Sequence, residues 1–224
     1  MAREDTADGE VALRRRGEVL ELVVDGAFAM DTVDTSTEVL LATEGLRRHA
    51  APHRVLVGGL GLGFTARAVL ADARVRHVDV VELAAPLVAW ARAGLVPELA
   101  DLDGERCTLH VADVAAVLAG RVGPRGPWDV VLLDVDNGPG FLVHAGNAAL
   151  YEDDGLARAR SAVAHGGVLV VWSSHESPAL AGTVRRVAGP RDVVEVSRHE
   201  VARDGRELTY WLYSLVRAGA AAGG

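Results

Sequence analysis

The sequence predicts an α/β protein built on a doubly wound, mostly parallel sheet. From residue 54 onward, short apolar strands alternate with helical segments. Some of these strands, such as Asp129-Val-Val-Leu-Leu-Asp134, are apolar on both faces, as strands buried between two helix layers must be,. The β-rich segments 193–196 and 208–215 flank the turn Arg203-Asp204-Gly205, which predicts an antiparallel hairpin at one edge of the sheet,. Strands that alternate with helices are joined by right-handed crossover connections, and such connections make neighbouring strands parallel.

Composition bounds the kind of protein this is. Half of the 224 residues are hydrophobic and 24% are charged, which suits one globular domain or one domain with a small appendage,. The net charge is −8 and no basic stripe is present, so we expect no nucleic-acid partner,. The single cysteine, Cys107, excludes an internal disulfide framework and a cysteine-rich metal site, and we expect no metal,. No apolar run reaches the length of a membrane span, and we expect a cytoplasmic protein with no membrane partner,.

The first fifty residues predict a small β region followed by a helix. Residues 1–9 are polar and pattern-free and predict a flexible N-terminus,. Within 10–50, strands are expected at 11–15 and 19–24, and Asp25-Gly26 predicts a turn into 27–31,. The run Thr35-Ser36-Thr37-Glu38 indicates a capping box, and the face of the helix that it opens carries Val39, Leu40, Leu46 and Ala50,.

Residues 51–217 predict the main domain, and 218–224 a flexible tail. Strands are expected at 55–57, 78–81, 108–111, 130–134 and 168–172, with helices at 65–71, 86–93, 114–118 and 156–163,. Five parallel strands and a terminal antiparallel hairpin are typical of the Rossmann-like sheet of the methyltransferase type.

A glycine loop gives the clearest indication of a site. The stretch Val55-Leu-Val-Gly-Gly-Leu-Gly-Leu-Gly-Phe-Thr65 runs from a strand through Gly59, Gly61 and Gly63 into a helix. Glycines let a ligand approach the backbone, and a helix N-terminus offers free N–H groups. A dinucleotide fingerprint fits this spacing poorly, whereas an adenosyl ligand without a pyrophosphate fits it. A packing turn is the alternative.

Three acids follow the next strands at their carboxyl ends, where open α/β sheets bind ligands. Glu82 is placed to accept hydrogen bonds from ribose hydroxyls, although it can also be a solvated strand end. Asp113 is placed to reach an adenine amino group or to cap the helix that follows it,. Asp134 ends the fourth strand, ahead of the loop Val135-Asp-Asn-Gly-Pro-Gly140, and its alternative role is to hydrogen-bond that loop.

In these segments the sequence resembles the spermidine synthase family, whose Rossmann-like core is shared with S-adenosylmethionine-dependent methyltransferases. The resemblance covers residues 20–172, including the Leu22-Val-Val-Asp-Gly26 turn. It implies a homodimer and a role as an aminopropyltransferase that uses decarboxylated S-adenosylmethionine. It also implies that Asp134 is the catalytic acid and that the adenosyl group is held by Gly59, Gly61, Gly63, Glu82 and Asp113.

The sequence departs from the family at the substrate half of the site. Leu62 stands where the family's glycine loop carries an Asp, and Asn137 stands at the second Asp of the Asp-x-x-Asp-Pro loop. The family's Gln after the Asp-Gly turn falls at Ala29 or a neighbour, and its Tyr-His pair is not evident around Glu38. Asp136 is a candidate replacement for one lost acid, because a polyamine site needs carboxylates.

The sequence therefore predicts a transferase that binds S-adenosylmethionine or its decarboxylated form and transfers an aminopropyl or methyl group to a small acceptor. Asp134 would orient and deprotonate the nucleophile. The substrate candidates are Asp136, Asn137 and Tyr151, with His144 as a further helper. The glycine-hinged segment 137–147 is a candidate lid or an ordinary loop that tucks Phe141 onto the core, and Trp172 is placed to shape the acceptor pocket,.

Two alternatives to that transferase stay open. One is a small-molecule methyltransferase with no polyamine role, and the other is a catalytically silent adenosyl-binding domain. An NAD-dependent dehydrogenase is a distant third, since a chain without lysine has no catalytic Tyr-x-x-x-Lys pair.

Overall fold

The computed structural model describes residues 2–6, 9–142, 144–203 and 206–220, and these form two sheets. The smaller sheet is a four-stranded antiparallel meander in the order β1-β2-β3-β4. Its strands are Ala2–Thr6, Gly9–Arg16, Val19–Val24 and Ala27–Asp31. The Asp25-Gly26 turn joins β3 to β4 as predicted, with positive φ at both residues.

The N-terminus differs from the prediction that residues 1–9 are flexible. Ala2–Thr6 pairs with β2 along its whole length, from Ala2 opposite Leu13 to Thr6 opposite Gly9. Its polar side chains find partners of their own: Arg3 forms an ion pair with Glu10, and Trp90 Nε1 donates to Glu4 Oε1 at 3.1 Å. Backbone pairing needs no apolar alternation, so hydropathy could not reveal this strand.

The larger sheet has seven strands in the order β10-β11-β9-β8-β5-β6-β7. The strands β5 to β9 pair in parallel, whereas β11 runs antiparallel to both β9 and β10. This confirms the predicted doubly wound sheet with its terminal hairpin, although Asp204 and Gly205 of the predicted turn lie outside the described residues. The strands are Arg54–Gly58, His77–Glu82, Cys107–Val111, Trp128–Leu133, Val163–Ser173, Val193–Arg203 and Arg206–Val216.

Helices cover both faces of this sheet. The helices α1 to α6 are, in chain order, Ser36–Arg47, Phe64–Ala71, Ala85–Arg92, Val114–Leu118, Asp153–Ala162 and Pro178–Val187. Two further segments, Pro97–Leu99 and Ala145–Tyr151, are 3₁₀ turns. Alternate residues of one strand enter different cores: Val55 and Val57 pack with α1, α2 and α3, whereas Leu56 packs with α4, α5 and α6. No helix among the described residues is long and apolar enough to cross a membrane.

Helix α1 forms where predicted but differs in its cap and its buried face. Thr35 makes no side-chain hydrogen bond to the helix, and Asp34 Oδ1 instead accepts from the Ser36 backbone N–H at 2.9 Å. The buried residues are Leu41, Ala42, Gly45 and Leu46, whereas Val39 and Ala50 are exposed. The helix lies across β8 and β9 of the larger sheet, so its inner face is set by that sheet and not by the β region before it.

The C-terminal segment is tied to the sheet at its start. Ala218 N donates to Asp192 Oδ1 at 2.9 Å, so the predicted loose tail does not begin at this residue. Residues 221–224 lie outside the described part of the chain.

Candidate active site

A cavity lies at the carboxyl ends of β5, β6, β7 and β8, with the small sheet forming one wall. That wall consists of Thr6, Val11, Leu22, Val24, Ala29 and Met30. The strand ends contribute five of the predicted site residues that carry polar side chains, namely Glu82, Asp113, Asp134, Asp136 and Asn137. The structure thus brings together acids that are far apart in sequence, because parallel strands end at the same edge of the sheet.

The glycine loop turns along the floor of this cavity. Gly59 has φ +94°, and a Cβ there would lie 2.1 Å from the carbonyl oxygen of Asp134. Gly61 has φ +49°, and a Cβ would lie 2.6 Å from Met30 Sδ. Both residues therefore have to be glycine for backbone conformation and space, and both line the cavity,.

Gly63 has a different place from the other two glycines. It does not line the cavity; it is the N-cap of α2, with φ +82° and a hypothetical Cβ only 2.4 Å from Leu99 Cδ2. Leu62 is fully buried and is also absent from the cavity wall. The second half of the loop is thus the packing turn that the sequence offered as its alternative.

Glu82 connects the end of β6 to the glycine loop. Its Oε1 accepts from Ala84 N at 2.7 Å and its Oε2 accepts from Leu60 N at 2.8 Å. Burial raises the pKa of this carboxyl, while these backbone N–H groups act in the opposite direction. Glu82 also lines the cavity, so its carboxylate borders the space where ribose hydroxyls would bind.

Asp113 caps a helix and also lines the cavity. Its Oδ1 accepts from Ala115 N at 2.8 Å, which caps α4. The residue is exposed and lines the cavity, so its carboxylate also faces the space where a ligand would bind.

Asp134 lies directly after β8 in the middle of the cavity floor. Its Oδ2 accepts from Thr65 Oγ1 at 2.7 Å, so the first turn of α2 fixes its orientation. Burial and the nearby Glu38 carboxylate raise the pKa of Asp134 to about 7, against the lowering effect of the Thr65 hydrogen bond. A carboxyl group with this pKa takes up and releases a proton near neutral pH, as a general base must.

The predicted substrate residues fall into two layers. Asp136 and Asn137 line the cavity, whereas Tyr151 lies behind it and is only 7% exposed. Tyr151 Oη donates to Asp136 Oδ2 at 3.1 Å, and the His144 backbone N–H approaches Asp136 Oδ1 at 3.4 Å. Burial and Asp136 raise the pKa of Tyr151, which therefore stays a donor. Tyr151 accordingly positions Asp136 and does not itself reach the cavity.

The segment 137–147 forms the rim of the cavity. Asn137, His144 and Asn147 line it, and the alternative that Phe141 tucks onto the core is wrong, since Phe141 is 64% exposed and packs edge-on against His175. Residue 143 lies outside the described residues.

A second, outer cavity adjoins the first. Trp172 lines both, as the sequence suggested for an acceptor pocket, and stacks on Tyr210 with ring centroids 5.4 Å apart. Phe28 and Phe141 add further aromatic surface, and Asp31 and Asp34 add carboxylates.

Sequence reasoning missed Glu38 and Thr65 as site residues. Glu38 was assigned to a capping box and Thr65 to the start of a helix, yet both line the cavity beside Asp134. Their position in the sequence could have indicated this, because each lies in the first turn of a helix that follows a strand or strand-like segment. Their approach to Asp134 is a tertiary contact, which single-sequence patterns do not report.

The described residues contain no group of three or more His, Cys, Asp or Glu arranged to hold a metal ion. The described wall of the cavity instead carries five carboxyl groups together with hydroxyl and amide side chains. This set suits hydroxyl groups and cations of an organic ligand.

Comparison with known proteins agrees with the geometry. The chain is 34% identical over 181 residues to polyamine aminopropyltransferase 2 of Pseudomonas aeruginosa, which is 74% of this chain and 48% of that protein. It is 33% identical over 138 residues to the Bacillus anthracis protein of the same name, covering 59% of this chain and 35% of that protein. The chain thus spans about half or less of the length of these curated relatives. No family model matches it.

Solved structures support the fold. A crystal structure of spermidine synthase in complex with the transition-state analogue AdoDATO superposes with a TM-score of 0.78 at 16% identity, covering 96% of this chain and 73% of that one. The Thermotoga maritima spermidine synthase superposes with a TM-score of 0.73, also at 16% identity, covering 96% of this chain and 72% of that one. The fold predicted from the sequence is therefore confirmed, and so is the resemblance of this chain to the spermidine synthase family.

Proposed function

We propose that this protein is an aminopropyltransferase that takes its aminopropyl group from decarboxylated S-adenosylmethionine and passes it to a small amine. The observation that carries the proposal is the charge of the cavity. Five carboxylates line it, and among the described residues of its wall there is no arginine, although the chain has 23 basic residues. A cavity of this kind favours ligands with net positive charge.

The same charge pattern favours the decarboxylated donor over S-adenosylmethionine. Both carry a sulfonium and an ammonium group, but S-adenosylmethionine adds a carboxylate. That carboxylate would enter a wall that includes Glu38, Asp134 and Asp136 and offers no described arginine to pair with it. Desolvating an anion near like charges is unfavourable, so the decarboxylated form suits this site better.

The chemistry asks the protein for position and for one proton acceptor. The acceptor amine first gives a proton to the Asp134 carboxylate. Its nitrogen lone pair then forms the new C–N bond at the aminopropyl carbon attached to sulfur. The C–S bond breaks and its electron pair stays on sulfur, which leaves as the neutral thioether methylthioadenosine. Holding the two reactants in line contributes on the order of 7–11 kcal/mol to lowering the barrier.

Adenosyl binding would use the inner half of the cavity. The Glu82 carboxylate would accept hydrogen bonds from the ribose hydroxyls, and Asp113 would face the adenine. Gly59 and Gly61 would let the backbone lie against the ligand. The wall formed by Val11, Leu22 and Val24 would cover the apolar faces of the nucleoside, as adenosyl pockets require,.

Methyl transfer from S-adenosylmethionine is the second candidate, and one observation favours it. Leu62, which stands where the family resemblance places an acid, is fully buried in the core and adds no charge to the cavity. A methyltransferase has no need of that acid.

Calorimetric titration with decarboxylated S-adenosylmethionine, S-adenosylmethionine, methylthioadenosine and NAD separates these functions. We expect the decarboxylated donor to bind at least tenfold more tightly than S-adenosylmethionine. We also expect Glu82→Gln to weaken binding of the adenosyl ligands, while Glu105→Gln, an exposed charge-matched control, leaves it unchanged. Release of methylthioadenosine in the presence of 1,4-diaminobutane completes the test. Tighter binding of S-adenosylmethionine would make the protein a methyltransferase, and no adenosyl binding would refute both candidates.

A further inference from the structure

Glu38 occupies the junction between the two cavities. It lines the inner cavity together with Asp134 and also lines the outer cavity together with Asp31 and Asp34. Glu38 therefore borders the passage through which an acceptor would move from the outer cavity to Asp134. Its position is fixed by the first turn of α1, where Thr37 Oγ1 donates to Glu38 Oε2 at 2.7 Å.

Glu38 and Asp134 are close enough to affect each other's charge. The Glu38 carboxylate is one of the causes that raise the pKa of Asp134. Two neighbouring carboxylates with no described arginine in the wall repel each other, and a cation placed between them removes that repulsion,. The groups facing this pair from the neighbouring elements are Thr65 of α2, Asp136 of the loop after β8 and His144 of the rim.

We propose that Glu38 is the residue that selects a cationic acceptor: it binds the reacting amine of the acceptor in its ammonium form, beside Asp134. This inference rests on the proposed function and deepens it by assigning the acceptor-binding carboxylate. An ammonium group has three N–H donors, which suffices to reach Glu38 and Asp134 together. A neutral acceptor, such as an alcohol, brings no positive charge to the two carboxylates and forms weaker hydrogen bonds with them, so it binds less well.

The proposal explains how the chain can bind an amine although Leu62 is apolar and buried. The carboxylate that the glycine loop lacks is supplied by helix α1, from the other side of the cavity. The outer cavity, with Asp31, Asp34 and the Trp172–Tyr210 stack, then receives the remainder of an elongated acceptor.

Glu38→Gln tests the inference, because glutamine keeps the size and hydrogen-bonding capacity of the side chain and removes its charge. We expect the KM for 1,4-diaminobutane to rise at least tenfold, with a smaller change in kcat. The affinity for the neutral analogue 1,4-butanediol, measured by calorimetry, is expected to change less than twofold. Glu105→Gln, exposed before β7 at the opposite edge of the sheet, serves as the charge-matched control.

A second measurement does not depend on activity. In protein labelled with ¹³C-aspartate, the carboxyl resonance of Asp134 is assigned by its loss in Asp134→Asn. In Glu38→Gln its titration is expected to move to lower pH, because the neighbouring negative charge is gone. A side chain with a merely structural role would leave this titration and the preference for diamine over diol unchanged.

The outcomes separate this inference from the proposed function. Wild-type protein that binds the diamine but releases no methylthioadenosine would refute aminopropyl transfer, and the diamine affinity and the Asp134 titration would still decide the role of Glu38. A diamine affinity within twofold of wild type in Glu38→Gln, with an unshifted Asp134 titration, would overturn the assignment of Glu38.

Discussion

Asp134, to which we assign a catalytic role under the proposed function, also lowers the stability of the fold at neutral pH,. Its pKa of about 7 in the folded protein lies well above the value near 3.9 of an unfolded chain,. Between these two pH values the unfolded chain loses the proton that the folded protein keeps. The free energy of unfolding therefore decreases as the pH rises through this window, because the folded protein must hold a proton that the unfolded chain releases. The decrease is complete above about pH 7.

Asp134→Asn is accordingly expected to abolish transfer and to stabilise the fold at pH 8. The gain should be roughly 1–3 kcal/mol in the free energy of unfolding, since asparagine stays neutral and still accepts the Thr65 hydrogen bond,. Urea denaturation at pH 8 and at pH 4 measures it, and the advantage should shrink towards pH 4. A variant that is no more stable than wild type at pH 8 would contradict the raised pKa.

At the residue scale, sequence reasoning found the strand-end acids but not their partners. Glu82, Asp113 and Asp134 each end a strand that hydrophobicity marks, so their shared location follows from topology,. Tyr151 and Glu38 come from a 3₁₀ turn and a helix whose packing brings them to Asp136 and Asp134. Such contacts depend on how helices rest on the sheet, which local patterns do not contain.

Helix α1 rests on the sheet through a glycine. A Cβ at Gly45 would lie 2.6 Å from Leu132 Cδ2 and 3.3 Å from Val130 Cγ1, both in fully buried residues of β8. The missing side chain lets the helix approach β8 closely. Because Glu38 lines the cavity from the same helix, this contact also sets the distance of Glu38 from the cavity floor.

Gly45→Ala is expected to destabilise the protein by about 1–3 kcal/mol, because the overpacking against Leu132 outweighs the helix propensity gained,. Gly182→Ala in α6 is the matched control: its new Cβ would meet only the flexible end of Arg186, so it should be neutral or stabilising by up to about 1 kcal/mol,. Thermal and urea unfolding of the two variants compare them directly. Equal effects of the two changes would refute the close approach of α1.

At the element scale, the sequence predicts the apolar strands correctly, but it does not predict the polar strand β1 or the helix α6. The strands of the parallel sheet stand where hydrophobicity places them, since burial on both faces leaves an unambiguous pattern,. Strand β1 escaped detection because its pairing is carried by the backbone. Helix α6 was also missed, although Ser177 and Pro178 are an N-cap and first-turn signal, and the Ser177 side chain does accept from Leu180 N at 3.1 Å,.

For the whole molecule, acidic side chains are concentrated in the cavity: five of its described wall residues are acids and none is an arginine. The net charge of the chain is −8, and several of its arginines form ion pairs outside the cavity, such as Arg160 with Asp192 and Arg186 with Asp153. Carboxylates gathered in a concave site focus the field towards its mouth and attract cations from solution.

Ionic strength should therefore affect the substrates differently. Raising NaCl from about 0.05 to 0.5 M is expected to lower kcat/KM for a diamine several-fold, since the screening length falls to a few ångströms. The affinity for neutral methylthioadenosine, measured by calorimetry in the same buffers, should stay nearly constant. Equal sensitivity of the neutral and cationic ligands would show that the field of the cavity does not guide binding.

The cavity lies between two sheets that share no strand: the large sheet forms its floor and the small sheet forms one wall. Under the proposed function, the floor residues would carry out the reaction, and they are held at the ends of strands that pack in the core. Wall residues and the segment that follows them, from Ala29 to Glu38, contact the floor through side chains: they pack against it, and Met30 Sδ accepts a hydrogen bond from the Leu62 backbone N–H at 3.1 Å. If the proposed function holds, substitutions in the first forty residues can change the acceptor preference while the residues proposed to break the C–S bond stay the same.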